Sequence, residues 1–146
     1  LEADIIVSHP SARFGLPEPK VGFAALGGGA RMLPKRMPYH VAMGLMPTGD
    51  TLSAEDALQF GLVNEISSED GLMATAMNWA EKLKKCAPLA LRATKTIVRR
   101  SMTPAYSLDD LQSLELHLAD MLSKSSDTQE GLSAFAERRS PVWTGR

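Results

Sequence analysis

The chain has 146 residues, 44% of them hydrophobic, which is enough for one domain of ordinary size with its own core. Its 16 basic and 17 acidic residues leave a net charge of -1, which argues against a nucleic-acid binder and against a long acidic tail. No uncharged apolar run reaches the ~18 residues of a membrane span. The opening residues show no n-region, h-region or cleavage site, and the single cysteine, Cys86, cannot form an internal disulfide. A cytoplasmic protein with no membrane contact is therefore expected.

The opening "LEADIIVSH" has no methionine and enters an apolar run at once, so the chain reads as part of a longer protein. Ala3 to Ser8 predicts a buried strand, and Ser11 to Leu16 a second extended piece. Pro17 and Pro19 disfavour the α region at Leu16 and Glu18, so the segment around Glu18 is expected to be extended and stiff. Gly27, Gly28 and Gly29 form a loop that feeds a helix over "ARMLPKRM", which Pro34 should kink or shorten. "PYHVAMGLM" follows, with Pro38 at a plausible first helical position. Ser53 and Asp56 resemble a capping box for a helix from Ala54 to Phe60, stopped by Gly61. Leu62 to Ile66 predicts another strand.

From Ser68 onward the pattern is helical. A first helix opens at Ser68 and carries Leu72, Ala76, Trp79, Ala80 and Leu83. Pro88 opens the next, with Leu91, Thr94, Lys95 and Val98 on one face. Ser107 opens a third, with Leu108, Leu111, Leu114, Leu118, Met121 and Leu122. Asp127 and Glu130 read as a cap pair for the last helix, "TQEGLSAFAERR"; Pro141 ends it and "VWTGR" trails out. The whole is α/β passing into an α-helical part, with residues 1–66 and 67–146 as the two regions. So few strands rarely carry so many helices, which again places the rest of a sheet upstream.

Few residues stand out for chemistry. The triple glycine is not followed by Gly-Lys-Ser/Thr and does not fit the dinucleotide fingerprint. It either lets a helix pack closely or brings backbone against a ligand. His9, His40 and His117 have no spacing suited to a shared metal, so no metal site is expected. Cys86 reads as a small, partly buried apolar residue and the eight methionines as core filling. Lys82, Lys84 and Lys85 read as a solvated helix face. Phe135 and Arg138 lie three apart and could together hold a flat base and a phosphate, or simply mark an exposed helix end. Glu18 is the strongest single candidate. It stands between two prolines, after Phe14-Gly15 and before the apolar "VGFAAL". A carboxyl in apolar surroundings holds its proton more tightly and can act as a general acid; a solvated surface glutamate is the plainer alternative.

The stretches "ADIIVSHPSARFGLPEPKVGFAALGGGARMLPKRM", "TGDTLSAEDALQFGLVNEI" and "EGLSAFAERRSPVWTGR", in that order, resemble the enoyl-CoA hydratase/isomerase (crotonase) superfamily over essentially the whole chain. The "LPEPKVG" wording and the C-terminal ending are most similar to hydratases and dehydratases of the carnitinyl-CoA type. The resemblance implies a spiral of ββα units followed by helices that assemble trimers or dimers of trimers. It implies an acyl-CoA substrate, no separate cofactor, and two glutamates that add water reversibly to a 2-enoyl-CoA while backbone N–H groups stabilise the thioester enolate.

Carried over residue by residue, Glu18 falls on the glutamate that handles the α-carbon proton, within a Phe14-Gly15-x-Pro17-Glu18 motif. Gly22, Leu26, Gly27, Gly28 and Gly29 fall beside the acyl pocket, together with Phe14 and Pro17. Phe135 and Arg138 fall where an aromatic and a basic residue contact the adenine end of CoA in a neighbouring subunit. Leu1 to Asp4 match the end of a glycine-rich signature. The oxyanion-hole donors and the other glutamate lie before it, so the 146 residues alone are expected to be inactive. The family's Pro-Gly reads Ala25-Leu26 here, where leucine keeps its N–H available but fills the pocket differently. An enoyl-CoA isomerase using one carboxylate, and a non-catalytic assembly module, are the alternatives.

Overall fold

Four short strands and seven α-helices make up the chain, strands and helices mixed first and helices alone thereafter. The computed structural model describes residues 1–146. Strand β1 (Val7–Ser8) pairs in parallel with β4 (Glu65–Ile66), Val7 opposite Glu65. Asn64 sets that register: its Oδ1 accepts the Ile6 N–H at 2.9 Å and its own N–H donates to the Ile6 carbonyl at 2.8 Å. Strand β2 (Arg13–Gly15) pairs antiparallel with β3 (Thr51–Ser53), Phe14 opposite Leu52.

The strands expected over Ala3–Ser8 and Leu62–Ile66 are shorter than the apolar runs that announce them. An apolar run reports burial rather than pairing, and Leu62 and Val63 are buried without joining the ladder. Strand β3 has no sequence signal of its own, because it exists only by pairing with a segment some 40 residues away.

Helices α1 (Gly29–Met32), α2 (Tyr39–Thr48) and α3 (Ala54–Gln59) connect the strands. Pro34 does shorten the first: α1 ends at Met32 and the chain tightens into a 3₁₀ turn, Leu33–Lys35. Pro38 stands just outside α2, which runs on through Pro47 to a left-handed Gly49. Ser53 caps α3 by accepting the Asp56 N–H at 3.0 Å, and Gly61 follows at φ 78°. Leu33, Met37, Ala42, Leu45, Ala57, Leu62 and Val63 form the core of this region, with Ile6, Phe14, Leu16 and Leu52 packed on it. Met37 is the one buried methionine; Met43, Met73, Met77, Met102 and Met121 are exposed, so core filling does not describe them.

Helices α4 (Leu72–Lys84), α5 (Pro88–Ser101), α6 (Leu108–Ser123) and α7 (Ser126–Glu137) complete the chain. The chain divides into two compact units, Leu1–Asn78 and Trp79–Arg146, with the division inside α4. Helix α4 begins four residues after Ser68, because Ser68 closes a turn instead, its carbonyl accepting the Gly71 N–H. Before it, His9 Nε2 lies 3.0 Å from the Glu69 carbonyl and 3.1 Å from its carboxylate.

In α5 the buried position is Ala93, with Ile97 half-buried; Thr94, Lys95 and Val98 face solvent, one step round from the face expected. In α6, capped by a Ser107–Asp110 box, Leu111, Leu114, Leu118 and Leu122 form a half-buried stripe while Leu108 and Met121 are exposed. Lys82 stacks over Trp79 at 4.5 Å, and Cys86 is exposed rather than partly buried, since it sits in the turn after α4. No helix is long and apolar enough to cross a membrane.

Candidate active site

Glu18 opens a 3₁₀ turn, Glu18–Val21, instead of lying in an extended strand. Proline fixes its own φ near -65°, which suits a helical start as well as an extended one, and Pro17 has φ -78° and ψ 0°. The preference that Pro19 imposes on Glu18 is outweighed by local hydrogen bonds. Lys20 N–H donates to the Pro17 carbonyl at 3.0 Å, and Phe23 N–H to the Glu18 carbonyl at 3.0 Å. Gly22, at φ 82°, closes the turn with its N–H toward the Glu18 and Pro19 carbonyls. A residue with a side chain rarely adopts that conformation, so Gly22 shapes the turn that carries Glu18.

Three close approaches fix this turn on the fold. A Cβ on Gly15 would stand 2.7 Å from the Asp50 carbonyl oxygen, so glycine there lets β2 meet the start of β3. The Lys20 stem lies along Gly49, and its Nζ donates to Asp50 Oδ1 at 3.0 Å. The hydrogen bond from Lys20, with that from Thr48, holds the Asp50 carboxyl below its ordinary range. A Cβ on Gly29 would stand 2.9 Å from Leu16 Cδ1 and 3.0 Å from Ala25 Cβ. The triple glycine therefore serves close helix packing through Gly29, beside the residue that precedes Pro17-Glu18. Gly28, at φ 98°, turns the chain into α1.

Glu18 is half-buried; its Oε2 is enclosed by the protein and receives no hydrogen bond. A buried polar atom without a partner is uncommon and costly, and Arg36 Nε and Ser67 Oγ share that condition. The apolar surroundings expected from "VGFAAL" are supplied only in part. Ala25 is buried, whereas Val21, Phe23 and Leu26 are 74%, 69% and 80% exposed. The Leu26 N–H is not available as expected, because it donates to the Ala24 carbonyl at 2.8 Å in a tight three-residue turn.

A cavity of about 250 Å³ opens beside β2, walled mainly by Ile6, Phe14, Leu16, Leu33, Leu45 and Leu62, with Arg13 at its edge. Phe14 is the one expected pocket residue in that wall. Pro17, Glu18, Gly22, Leu26, Gly27 and Gly28 follow it in the chain but do not line it.

Phe135 and Arg138 belong to the second unit. Phe135 is 86% exposed on the last turn of α7. Arg138 lies one residue past the helix at φ 56°, so the face-sharing expected from a spacing of three does not apply.

Asp127 and Glu130 do not cap α7; Ser125 does, its Oγ accepting the Thr128 N–H at 3.1 Å. The two acids instead clamp the C-terminal segment, which folds back rather than trailing out. Asp127, only 1% exposed, accepts from Thr144 N–H at 2.7 Å, Thr144 Oγ1 at 3.0 Å and Gly145 N–H at 2.9 Å. Glu130 accepts the Val142 N–H at 2.8 Å and takes both forks of the Arg139 guanidinium at 2.6 and 2.9 Å. These bonds lower the Asp127 carboxyl, the Thr144 N–H foremost, and take Glu130 down to about 2, the Arg139 hydrogen bonds foremost. Trp143 seals the clamp, its indole N–H donating to the Lys85 carbonyl at 3.0 Å and its ring packed on Gly131.

Sequence reasoning missed Lys20, Gly49 and Asp50 as supports of Glu18, since a lysine and an aspartate 30 residues apart give no signal. The signal for the Arg139 ion pair is a basic residue at a helix end with a glutamate nine residues back.

The enoyl-CoA hydratase/isomerase family pattern matches residues 1–146. Over 148 aligned residues the chain is 40% identical to the carnitinyl-CoA dehydratase of Salmonella typhi, covering 100% of this chain and 57% of that protein. The chain thus spans little more than half the length of the curated relatives it matches. The crystal structure of enoyl-CoA hydratase from Mycobacterium tuberculosis H37Rv superposes with a TM-score of 0.93 at 42% identity, over 99% of this chain and 56% of that one. The enoyl-CoA hydratase of Bacillus anthracis superposes with a TM-score of 0.91 at 29% identity, over 98% and 55%. The α/β architecture with its helical end is therefore the crotonase fold. A match that runs from the first residue to the last, with relatives above 30% identity, makes the chain a member of the enoyl-CoA hydratase/isomerase family.

Proposed function

We propose that this chain contributes one of two catalytic glutamates to a hydratase that reversibly adds water to 2-enoyl-CoA thioesters. The observation that carries the reading is Glu18, whose enclosed, unpartnered Oε2 sits on a turn held by Gly22, Lys20 and Gly29. In hydration the Glu18 carboxyl gives its proton to the α-carbon while the other glutamate takes a proton from the water whose oxygen bonds to the β-carbon; in dehydration both protons move back. Thioester polarisation needs two N–H donors that the family resemblance places ahead of Leu1. By themselves the 146 residues are expected to show no turnover.

In this reading residues 1–66 carry the acyl pocket, with Phe14, Pro17, Gly22, Leu26, Gly27 and Gly28 around it. Residues 67–146 serve assembly, and Phe135 and Arg138 serve CoA. Exposed apolar side chains on the helices, among them Leu116 and Leu132, support a homo-oligomer, which the resemblance makes a trimer or a dimer of trimers. The acyl-CoA needs no further cofactor, and the expected setting is cytoplasmic.

Glu18→Gln in the complete protein tests the central claim. It should lower turnover of crotonyl-CoA or carnitinyl-CoA by about 100-fold or more if Glu18 is a general acid. Near-normal rates would overturn the role. Double-bond migration without net hydration would instead favour the isomerase.

A further inference from the structure

Arg138 is the one non-glycine residue of the chain with a positive φ, 56°. It occupies the position at which helices of this ending usually carry glycine. The ending is regular in other respects, with Arg138 N–H donating to the Phe135 carbonyl at 3.3 Å and Arg139 N–H to the Ala134 carbonyl at 3.0 Å. An arginine kept where glycine fits better is backbone strain, and strain of this kind persists only where its surroundings enforce it.

The next residue is anchored by its side chain. Arg139 is gripped by both Glu130 carboxylate oxygens at 2.6 and 2.9 Å and, through Nε, by Glu137 at 2.6 Å. Glu130 is itself fixed by the Val142 N–H of the folded-back segment. The two neighbouring arginines are thus treated differently. Arg139 is neutralised inside a bidentate pair, a geometry lysine cannot reproduce. Arg138 is exposed, takes no carboxylate, and stands three residues after the exposed ring of Phe135.

We infer that Glu130 and Arg139 are positioning residues: their ion pair holds Arg138 in the left-handed conformation, leaving its guanidinium for the phosphate-bearing nucleotide end of the CoA thioester. The inference rests on the CoA-binding part of the reading above. Glu130 and Arg139 touch no substrate; they act through the backbone of Arg138. A guanidinium set off from the helix can take a phosphate bidentately.

The test compares two thioesters of one enoyl group in the complete protein: crotonyl-CoA and crotonyl-pantetheine, which lacks the nucleotide and its phosphates. Arg138→Ala should raise KM for crotonyl-CoA about tenfold with kcat within about twofold, and leave crotonyl-pantetheine unchanged, since one charge-assisted phosphate contact is lost. Glu130→Gln should reproduce that pattern about fivefold, and Arg139→Lys should fall between it and the parent. In the Arg138→Ala background Glu130→Gln should add nothing. If Arg138→Ala does not move KM for crotonyl-CoA, the CoA contact itself is wrong. If Arg138→Ala moves it but Glu130→Gln and Arg139→Lys do not, the contact stands and the positioning role falls. Equal losses on both thioesters in the Glu130 and Arg139 variants, or a fall in kcat alone, would mean general structural damage and would also overturn it. Should Glu130→Gln fail to fold, Arg139→Lys carries the comparison, because it keeps the charge and most of the side chain.

Discussion

Gly29 packs on Leu16 so closely that a β-carbon on the glycine would stand 2.9 Å from one leucine methyl and 3.2 Å from the other. Leu16 immediately precedes Pro17-Glu18, so the contact ties the start of α1 to the turn that carries the candidate acid. Gly29→Ala should therefore destabilise the fold by about 1–3 kcal/mol, the usual range for overpacking. Leu16→Ala should cost stability alone yet recover part of the loss in the double variant. Urea unfolding of the four proteins in the cycle measures this. Strict additivity would show that the two residues do not share the contact.

Gly49 and Gly61 both adopt left-handed backbone, at φ 64° and 78°, but only at Gly49 would an added β-carbon meet a neighbour. Alanine at either position should cost about 1–2 kcal/mol for the conformation. At Gly49 the Lys20 stem, 3.1 Å from the new β-carbon, adds a further loss. Truncating Lys20 to Ala should remove that extra increment at Gly49 and leave the effect at Gly61 unchanged. Denaturant midpoints of the single and double variants are the measurement, and equal losses at the two glycines would contradict the packing described.

The C-terminal clamp should respond to acid. Glu130 is lowered from 4.5 to about 2 by Arg139 and the Val142 N–H, and Asp127 is also lowered. A carboxylate depressed on folding stabilises the folded state fully above its unfolded value and loses that stabilisation as pH falls toward its folded value. Trp143 emission and thermal midpoints should thus stay flat from pH 8 to about 5 and fall between about pH 4.5 and 2. In Glu130→Gln the part of the acid transition due to this residue should vanish. A wild-type-like acid profile in that variant would place the titration elsewhere.

Asp127 is the acceptor for three donors of Thr144 and Gly145, and Ser126 Oγ adds a bond to the Arg146 carbonyl at 2.7 Å. Asp127→Ala leaves the Thr144 and Gly145 N–H groups without an acceptor inside the protein. The terminal segment should then detach from α7, and carboxypeptidase should remove residues that it spares in the parent. Thr144→Val, which takes away only the hydroxyl, should open the segment less. Identical digestion of parent and Asp127→Ala would refute the clamp.

Local chemistry sufficed for the elements whose signals are local. Pro88 and the Ser107–Asp110 box open their helices where residue type demands, and Ser53 caps α3 because its hydroxyl reaches an N–H three residues on. The motif around Glu18 and the order of the blocks were enough to place the chain in its family. Distant partners decided the rest. The shape of the Glu18 turn followed from hydrogen bonds that outweighed a pre-proline preference, and its seat from Gly15, Gly29 and the Lys20–Asp50 pair. Thr51–Ser53 became a strand only against β2. Asp127 and Glu130 have the spacing of a cap and serve as a clamp, because the chain returns 17 and 12 residues later to offer them N–H groups. A sequence displays the donors and acceptors that a residue owns, whereas which of them meet is settled by the path of the chain between them.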